Sequence, residues 1–212
     1  MLTKPTDWDE YYAKPASTAR FTRKISERKI INLMRTYCRT EHPEIAELGG
    51  ANSCFVDAVC EQMEPQTYVA IDNNAYGIGL LNQRFENSSL VTGQLQDALE
   101  ISSPERRFDI VYSVGLIEHF NLENTARCTQ SHFELCKPGG IVLITFPTPT
   151  LLYRVLRGVI ELAGQWKFHD ERPLGFNEVQ AAARDYGDLV HSSINWLIGL
   201  TQGYLVYRKV DA

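Results

Sequence analysis

The chain has 212 residues, 44% of them hydrophobic and 22% charged. That is one domain of ordinary size with enough apolar material for a sizeable core, and it excludes the disordered, collagenous and coiled-coil classes. Twenty-one basic against 26 acidic residues leave a net charge of −5, which argues against a general nucleic-acid binder held by phosphate contacts. Cys38, Cys54, Cys60, Cys128 and Cys136 form no Cys-x-x-Cys pair, so neither a disulfide framework nor a cysteine zinc site is expected. A reducing, cytoplasmic setting fits that pattern. The start carries no apolar signal core. The uncharged run from Leu189 to Tyr207 is broken by Asn195 and Gln202, so no membrane span is expected.

The first fifteen residues, with Trp8, Tyr11 and Tyr12, read as a docking arm. Ser17 or Thr18 is placed to cap a helix, along which Ile30, Leu33, Met34 and Tyr37 recur at helical spacing. Alternation follows. Strands are expected at Ile45–Leu48, Thr67–Asp72, Ser89–Thr92, Phe108–Val114 and Ile141–Phe146. Helices are expected at Ser53–Met63, Ala75–Phe85 and Leu122–Cys136, the last stopped by Lys137-Pro-Gly-Gly. Apolar strands alternating with helices indicate a parallel sheet covered on both faces. The tail reads as a helix over Thr150–Ala163, a polar loop over Trp166–Gly175 and a helix over Asn177–Tyr186. Two strands, Leu189–Trp196 and Tyr204–Arg208, then pair most simply as an antiparallel hairpin. Trp196 and Tyr204 are expected in the core.

Four segments can carry chemistry. In Glu47-Leu-Gly49-Gly50-Ala51-Asn52-Ser53 a strand ends, small residues turn the chain and a helix begins; small residues let the backbone approach a ligand, although a tight strand-to-helix turn needs the same residues. Asp72 ends the next strand, where an acid can accept hydrogen bonds from both hydroxyls of a ribose. A solvated loop aspartate is the alternative. Ser113, Gly115, Glu118 and His119 follow the fourth strand and border the crevice in which open α/β sheets bind ligands. Cys136-Lys-Pro-Gly-Gly is by itself a structural stop.

Taken in order, Glu47-Leu-Gly-Gly-Ala-Asn-Ser, Asp72, Phe108-Asp109-Ile-Val-Tyr-Ser with Glu118-His119, and Lys137-Pro-Gly-Gly resemble the class I S-adenosylmethionine-dependent methyltransferases, in particular their small-molecule branch. The resemblance covers roughly residues 43–147. It implies a Rossmann-like, seven-stranded, mostly parallel sheet with an antiparallel C-terminal strand and helices on both faces. It implies S-adenosylmethionine as methyl donor. Glu47 would lie near the methionyl part, and Gly49, Gly50, Ala51 and Asn52 would wrap the donor. Asp72 with Asn73 would hold the ribose, and Gln94 with Leu95 would meet the adenine amine. Ser113, Gly115 and Tyr11 would complete the pocket. The usual Gly-x-Gly-x-Gly reads here as Gly49-Gly50-Ala51-Asn52-Ser53.

If the acceptor is a hydroxyl, a base must take its proton, and His119 is the best-placed imidazole, with His169 as the second candidate. His119 lining the donor pocket without proton transfer is the other reading. The cluster His169-Asp170-Glu171-Arg172 suits a small, polar, hydroxyl-rich acceptor such as a sugar, with O-methylation as the expected reaction. A divalent metal held there by oxygen ligands, or a loop whose charges pair locally, are the alternatives; no metal is assigned. Tyr11 and Tyr12 suit a lid, and Arg20 and Arg23 suit a carboxylate or phosphate. The expected division is an arm and helix acting as lid at 1–40, a donor-binding core at 43–147, an acceptor-side insert at 148–187 and a strand pair at 188–209. A small-molecule acceptor is the expected partner, nucleic acid is not, and the oligomeric state is left open. Two rivals stand: a non-catalytic nucleoside- or partner-binding module on the same fold, and a nicotinamide-dependent oxidoreductase, which would need the Gly-x-Gly-x-x-Gly that residues 49–54 lack.

Overall fold

A computed structural model describes residues 5–13, 20–102 and 104–210. The expected cap at Ser17 or Thr18 and the side chain of Arg20 lie outside the described residues. Seven strands form one sheet: β1 Glu44–Leu48, β2 Thr67–Asp72, β3 Val91–Leu95, β4 Phe108–Val114, β5 Cys136–Pro147, β6 Gly187–Asn195 and β7 Gln202–Lys209. Their order is β3-β2-β1-β4-β5-β7-β6. The pairs β1–β2, β2–β3, β1–β4 and β4–β5 are parallel, and β7 runs antiparallel to both β5 and β6. The fold is therefore the mostly parallel, Rossmann-like sheet expected, with β7 as its antiparallel strand.

The helices are α1 Trp8–Ala13, α2 Arg20–Tyr37, α3 Val56–Met63, α4 Ala75–Arg84, α5 Leu122–Leu135, α6 Leu151–Leu162 and α7 Phe176–Ala183. Both sheet faces are covered. On one, Leu48, Ile71, Val111, Phe146 and Leu205 pack with Phe133 of α5 and Val179 of α7. On the other, Ile45, Tyr68, Ile110 and Leu143 pack with Ile30 and Met34 of α2, Val56 and Val59 of α3 and Leu81 of α4. Strands buried on both sides must be apolar throughout, which is why β1, β4 and β5 were readable as continuous runs. Asn74 and Asn121 cap α4 and α5 by accepting from the backbone N–H three residues on, and Thr150 does the same for α6.

Three expectations are corrected. The strand placed at Ser89–Thr92 runs instead over Val91–Leu95; it is the sheet edge, with Thr92, Gln94 and Leu95 exposed, so no apolar run marks it. Lys137-Pro-Gly-Gly does not merely stop α5. It is part of β5, looped out so that Phe108 pairs Cys136 and Ile110 pairs Ile141. Asp109 holds this hook, accepting from Lys137 Nζ at 3.0 Å and from Glu44 N at 2.9 Å. A Cβ on Gly140 would stand 2.8 Å from the Asp109 carbonyl oxygen, closer than side chains come. Trp196 is 59% exposed rather than core, whereas Tyr204 is fully buried; Trp196 follows the end of β6 and has left the sheet. No helix among the described residues is long and apolar enough to cross a membrane.

Candidate functional site

The order of the sheet reverses at the β1–β4 pair, since β1 leads outward to β2 and β3 while β4 leads to β5. At such a switch point the connections from the two neighbouring strands depart to opposite faces, and a crevice opens at the carboxyl ends of the strands. A cavity of about 820 Å³ lies there. This is in the upper part of the range for ligand sites, about 300–1,000 Å³.

One wall comes from the ends of β1 and β2: Glu47, Gly49, Ala51, Asn52, Asp72 and Asn73. Gly49 has φ +72° and Asn52 φ +45°, a left-handed backbone at both ends of the turn. A Cβ on Gly49 would stand 2.9 Å from Leu116 Cδ1, and one on Gly50 2.9 Å from Glu47 Cγ. Gly49 needs its left-handed backbone, and a side chain at either glycine would crowd Leu116 or Glu47. Gly50 works beneath the cavity rather than in its lining. Glu47 is buried and tightly tied. Its Oε1 accepts from Ser53 Oγ at 2.9 Å and its Oε2 from the Tyr68 hydroxyl, which itself lies 2.6 Å from the hydroxyl of Tyr112. Burial pushes the Glu47 carboxyl up to about 7 against the pull of these hydroxyls.

Asp72 accepts from Asn74 N at 2.8 Å on one oxygen and from Ala51 N at 3.2 Å on the other, which ties the end of β2 to the turn after β1. Burial raises its carboxyl above the ordinary value, against those two backbone donors, a hydrogen bond from Tyr12 and the backbone of Asn73. Tyr12 belongs to α1, which lies over this wall. Asn74 Nδ2 donates to Asp9 Oδ1 at 2.7 Å, and a Cβ on Gly77 would meet Tyr12 Cδ2 at 2.8 Å. The arm thus closes over the ends of β1 and β2. Tyr11 also lines the cavity, and its hydroxyl accepts from Arg23 Nη2 at 3.1 Å. Arg23, expected to meet an anion, faces that hydroxyl.

The opposite wall is built after β4 and after α6. Glu118 and His119 sit on a single helical turn at Ile117–His119. His119 Nδ1 lies 3.0 Å from Asp170 Oδ1. Asp170 also accepts from the Thr6 backbone N–H at 3.1 Å and from the Thr6 hydroxyl, so the arm is anchored to the His119 partner. Burial holds the His119 ring below the usual histidine value although Asp170 pulls it up. Burial pushes Asp170 upward, but the bonds from Thr6 and His119 outweigh it and keep its carboxyl low. A neutral imidazole oriented by an ionised carboxylate is the result, and that is the protonation state of a general base. Around it the rings of Trp8, at 4.9 Å from His119, and Phe168, at 6.0 Å, pack edge to face. Glu171 accepts from the Tyr153 hydroxyl, and Arg157 Nη1 lies 3.5 Å from it.

The remaining expected site residues fall elsewhere. Ser113 is fully buried beneath the sheet end, its Oγ 2.8 Å from His132 Nε2; the pleat turns it from the cavity into α5. Gln94 is exposed and donates to Gln96 Oε1 at 2.8 Å, and Leu95 is 59% exposed; neither borders the cavity. Gly115, φ +69°, does border it. His169 is exposed and lines a small separate cleft with Thr6 and Lys167. Arg172 binds Glu178 at 2.7 Å and faces α7. Among the described residues no group of His, Cys, Asp or Glu is arranged to hold a metal ion.

A methyltransferase-domain family model matches residues 45–140, the stretch that holds the cradle, Asp72 and Glu118-His119. Over residues 45–140 the chain is thus similar to a methyltransferase domain, and its seven-stranded sheet has the class I S-adenosylmethionine-dependent methyltransferase fold. Phosphoethanolamine N-methyltransferase of Plasmodium falciparum (isolate 3D7) is 32% identical over 68 residues, 32% of this chain and 26% of that protein, so the match spans about a quarter of that relative. Magnesium protoporphyrin IX methyltransferase from Synechocystis PCC 6803, solved with S-adenosylhomocysteine, superposes with TM-score 0.75 at 11% identity, covering 95% of this chain and 92% of that one. The N-methyltransferase NodS from Bradyrhizobium japonicum WM9, also with S-adenosylhomocysteine, gives 0.64 at 14% identity, covering 87% of each chain. These two share the fold of the methyltransferase domain. The antiparallel β7 between β5 and β6 also separates that domain from the six-stranded dinucleotide-binding order.

The glycine turn presents bare backbone, and Asp72 has acceptor capacity beyond its two backbone bonds, part of it taken by the Tyr12 hydroxyl. The buried Glu47 lies at the cradle's floor.

Proposed function

We propose that the protein transfers a methyl group from S-adenosylmethionine to a small or medium polar acceptor, at a heteroatom that carries a proton. The reading is supported chiefly by one observation: the cradle of Gly49 and Asp72 and the His119–Asp170 pair open on the same cavity. Glu47, Gly49, Ala51, Asn52, Asp72, Asn73 and Gly115 would hold the donor, with Tyr11 on the arm as part of a lid. When bound, the donor supplies a methyl carbon on a sulfonium, and on transfer the acceptor atom bonds that carbon while the sulfur keeps the broken bond's electron pair and the acceptor's proton leaves to a base.

His119 is the base in this reading. Asp170 orients the ring and favours the imidazolium formed as the proton arrives. Trp8, Phe168 and the arm exclude water, and holding the two reactants side by side supplies much of the acceleration. The expectation of a sugar rested on the polarity of residues 169–172. Asp170, Glu171 and Arg172 are engaged with Thr6, Tyr153 and Glu178, and His169 lies outside the cavity, so that support falls away and the reading keeps both hydroxyl and amine acceptors.

The test has two stages. Calorimetry should show S-adenosylhomocysteine binding to the full chain; no binding would leave a domain without its donor. With an acceptor found from a panel of amines and alcohols, His119→Ala should keep S-adenosylhomocysteine affinity and lower turnover by about 10²–10⁴. Unchanged turnover would reduce His119 to a wall of the pocket.

A further inference from the structure

Among the described residues, Glu118 is the one carboxylate of the cavity wall whose chemistry remains unspent. It is 2% exposed, and its Oε2 is buried without a hydrogen-bond partner. Its neighbours worsen its position rather than relieve it. Burial drives its carboxyl well above the ordinary range, and the negative charges of Glu171 and Asp170 push in the same direction, against its own backbone N–H. Among the described residues, no cation pairs with it: Arg172 meets it only backbone to backbone, through Arg172 N to Glu118 O at 2.9 Å. Arg157 is spent on Glu171 and Glu161. An orphaned buried carboxyl is expensive to keep, so an unpartnered one facing a cavity marks a missing partner.

The surroundings say what that partner is. Three acids, Glu118, Asp170 and Glu171, share this wall with the rings of Trp8, Tyr153 and Phe168. An anionic acceptor would be repelled by the acids. A polyol would need many hydrogen bonds, which flat aromatic faces do not supply. An ammonium meets both features: it donates to the free carboxylate oxygen, and it is attracted to ring faces by their quadrupole.

Resting on the methyltransferase reading above, we propose that the acceptor is a small amine that arrives as a cation, and that Glu118 is the residue that selects it. The buried acid gives up its proton when the ammonium docks, so that binding releases a proton to solvent. His119, beside Asp170, takes the further proton that must leave before nitrogen has a free electron pair.

The full chain is titrated by calorimetry with phenethylamine and with its uncharged isostere 2-phenylethanol, each with and without S-adenosylhomocysteine. Phenethylamine should bind at least about tenfold tighter and show proton release across buffers of different ionisation enthalpy. Glu118→Gln, which keeps the shape of the protonated acid, should erase the preference and the proton release while leaving S-adenosylhomocysteine affinity unchanged. Trp8→Ala, on the arm, gives an independent reading and should weaken the amine more than the alcohol. Equal binding of the two probes, no amine binding at millimolar concentration, or a preference that survives in both variants would overturn the proposal. Loss of S-adenosylhomocysteine binding in Glu118→Gln would also overturn it, since Glu118 would then serve the donor. Should S-adenosylhomocysteine fail to bind the parent chain, the donor reading falls, and the amine preference is still decided by the titrations without it.

Discussion

At the scale of single residues, Asp72 carries the sharpest expectations. A carboxylate has about four lone-pair positions. Asn74 N and Ala51 N occupy two, and the Tyr12 hydroxyl takes a third. In the proposed donor site a ribose would draw on two, so Tyr12 would give way when the donor enters. Tyr12→Phe removes that competitor, worth about 1 kcal/mol, and should tighten S-adenosylhomocysteine binding by about fivefold in calorimetry. Asp72→Ala should act the other way and weaken it at least about tenfold, each charge-assisted bond being worth about 1.5–3 kcal/mol. A fall in affinity in Tyr12→Phe would make Tyr12 a donor contact instead of a gate. Asp72 was legible because its place at the end of an apolar strand follows from its neighbours in sequence. The Tyr12 contact was not, because residues sixty positions apart meet only once α1 has docked against α4.

At the scale of elements, the turn from β1 into α3 decides whether the cradle exists. Gly49 needs φ +72° and has Leu116 against its open side. Gly49→Ala should therefore lower stability by about 1–2 kcal/mol from the backbone alone, and more from the contact with Leu116. Denaturant melts would show the loss, and donor binding should weaken with it. An unaltered midpoint would mean the turn relaxes freely. The strands β2 and β4 matched their expected bounds residue for residue, because each is a buried, mostly apolar run with a local stop: Asp72-Asn73-Asn74 after β2 and the left-handed Gly115 after β4. The edge strand β3 and the hook of β5 did not, because an edge is half solvated and a hook is held by a distant partner, Asp109. The loop after α6 is similar. Its composition showed charge, but Asp170 facing His119 and Arg172 facing Glu178 follow from the tertiary packing.

Across the whole molecule, stability and pH are linked through buried titratable groups. His132 is fully buried, with Nδ1 donating to the Cys128 carbonyl at 2.7 Å and Nε2 accepting from Ser113 at 2.8 Å. Burial lowers it to about 4 from 6.5. Between those values the unfolded chain binds a proton there and the folded chain does not, so stability falls as pH drops from 6.5 towards 4, by about 3 kcal/mol. Glu47, raised to about 7, has the opposite sign: its contribution is present below its ordinary value and is lost as pH rises through 7. The difference between parent and His132→Gln isolates the first term. Denaturant melts at pH 7.5 and pH 5 should show a smaller loss in the variant, and equal losses would mean His132 is protonated in the folded state.

Sequence alone determined the alternation of strands and helices, the glycine turn, Asp72 and the Glu118-His119 pair. These depend on burial period and on local backbone needs, which nearest neighbours set. Only the tertiary structure decided that Ser113 serves α5 rather than the cavity, that His169 stands outside it, and that Asp170 orients His119. It also decided that Glu118 Oε2 is buried without a hydrogen-bond partner. A side chain's burial and its partners are properties of the packed assembly, in which a strand's pleat and a loop's path settle which way each polar atom points.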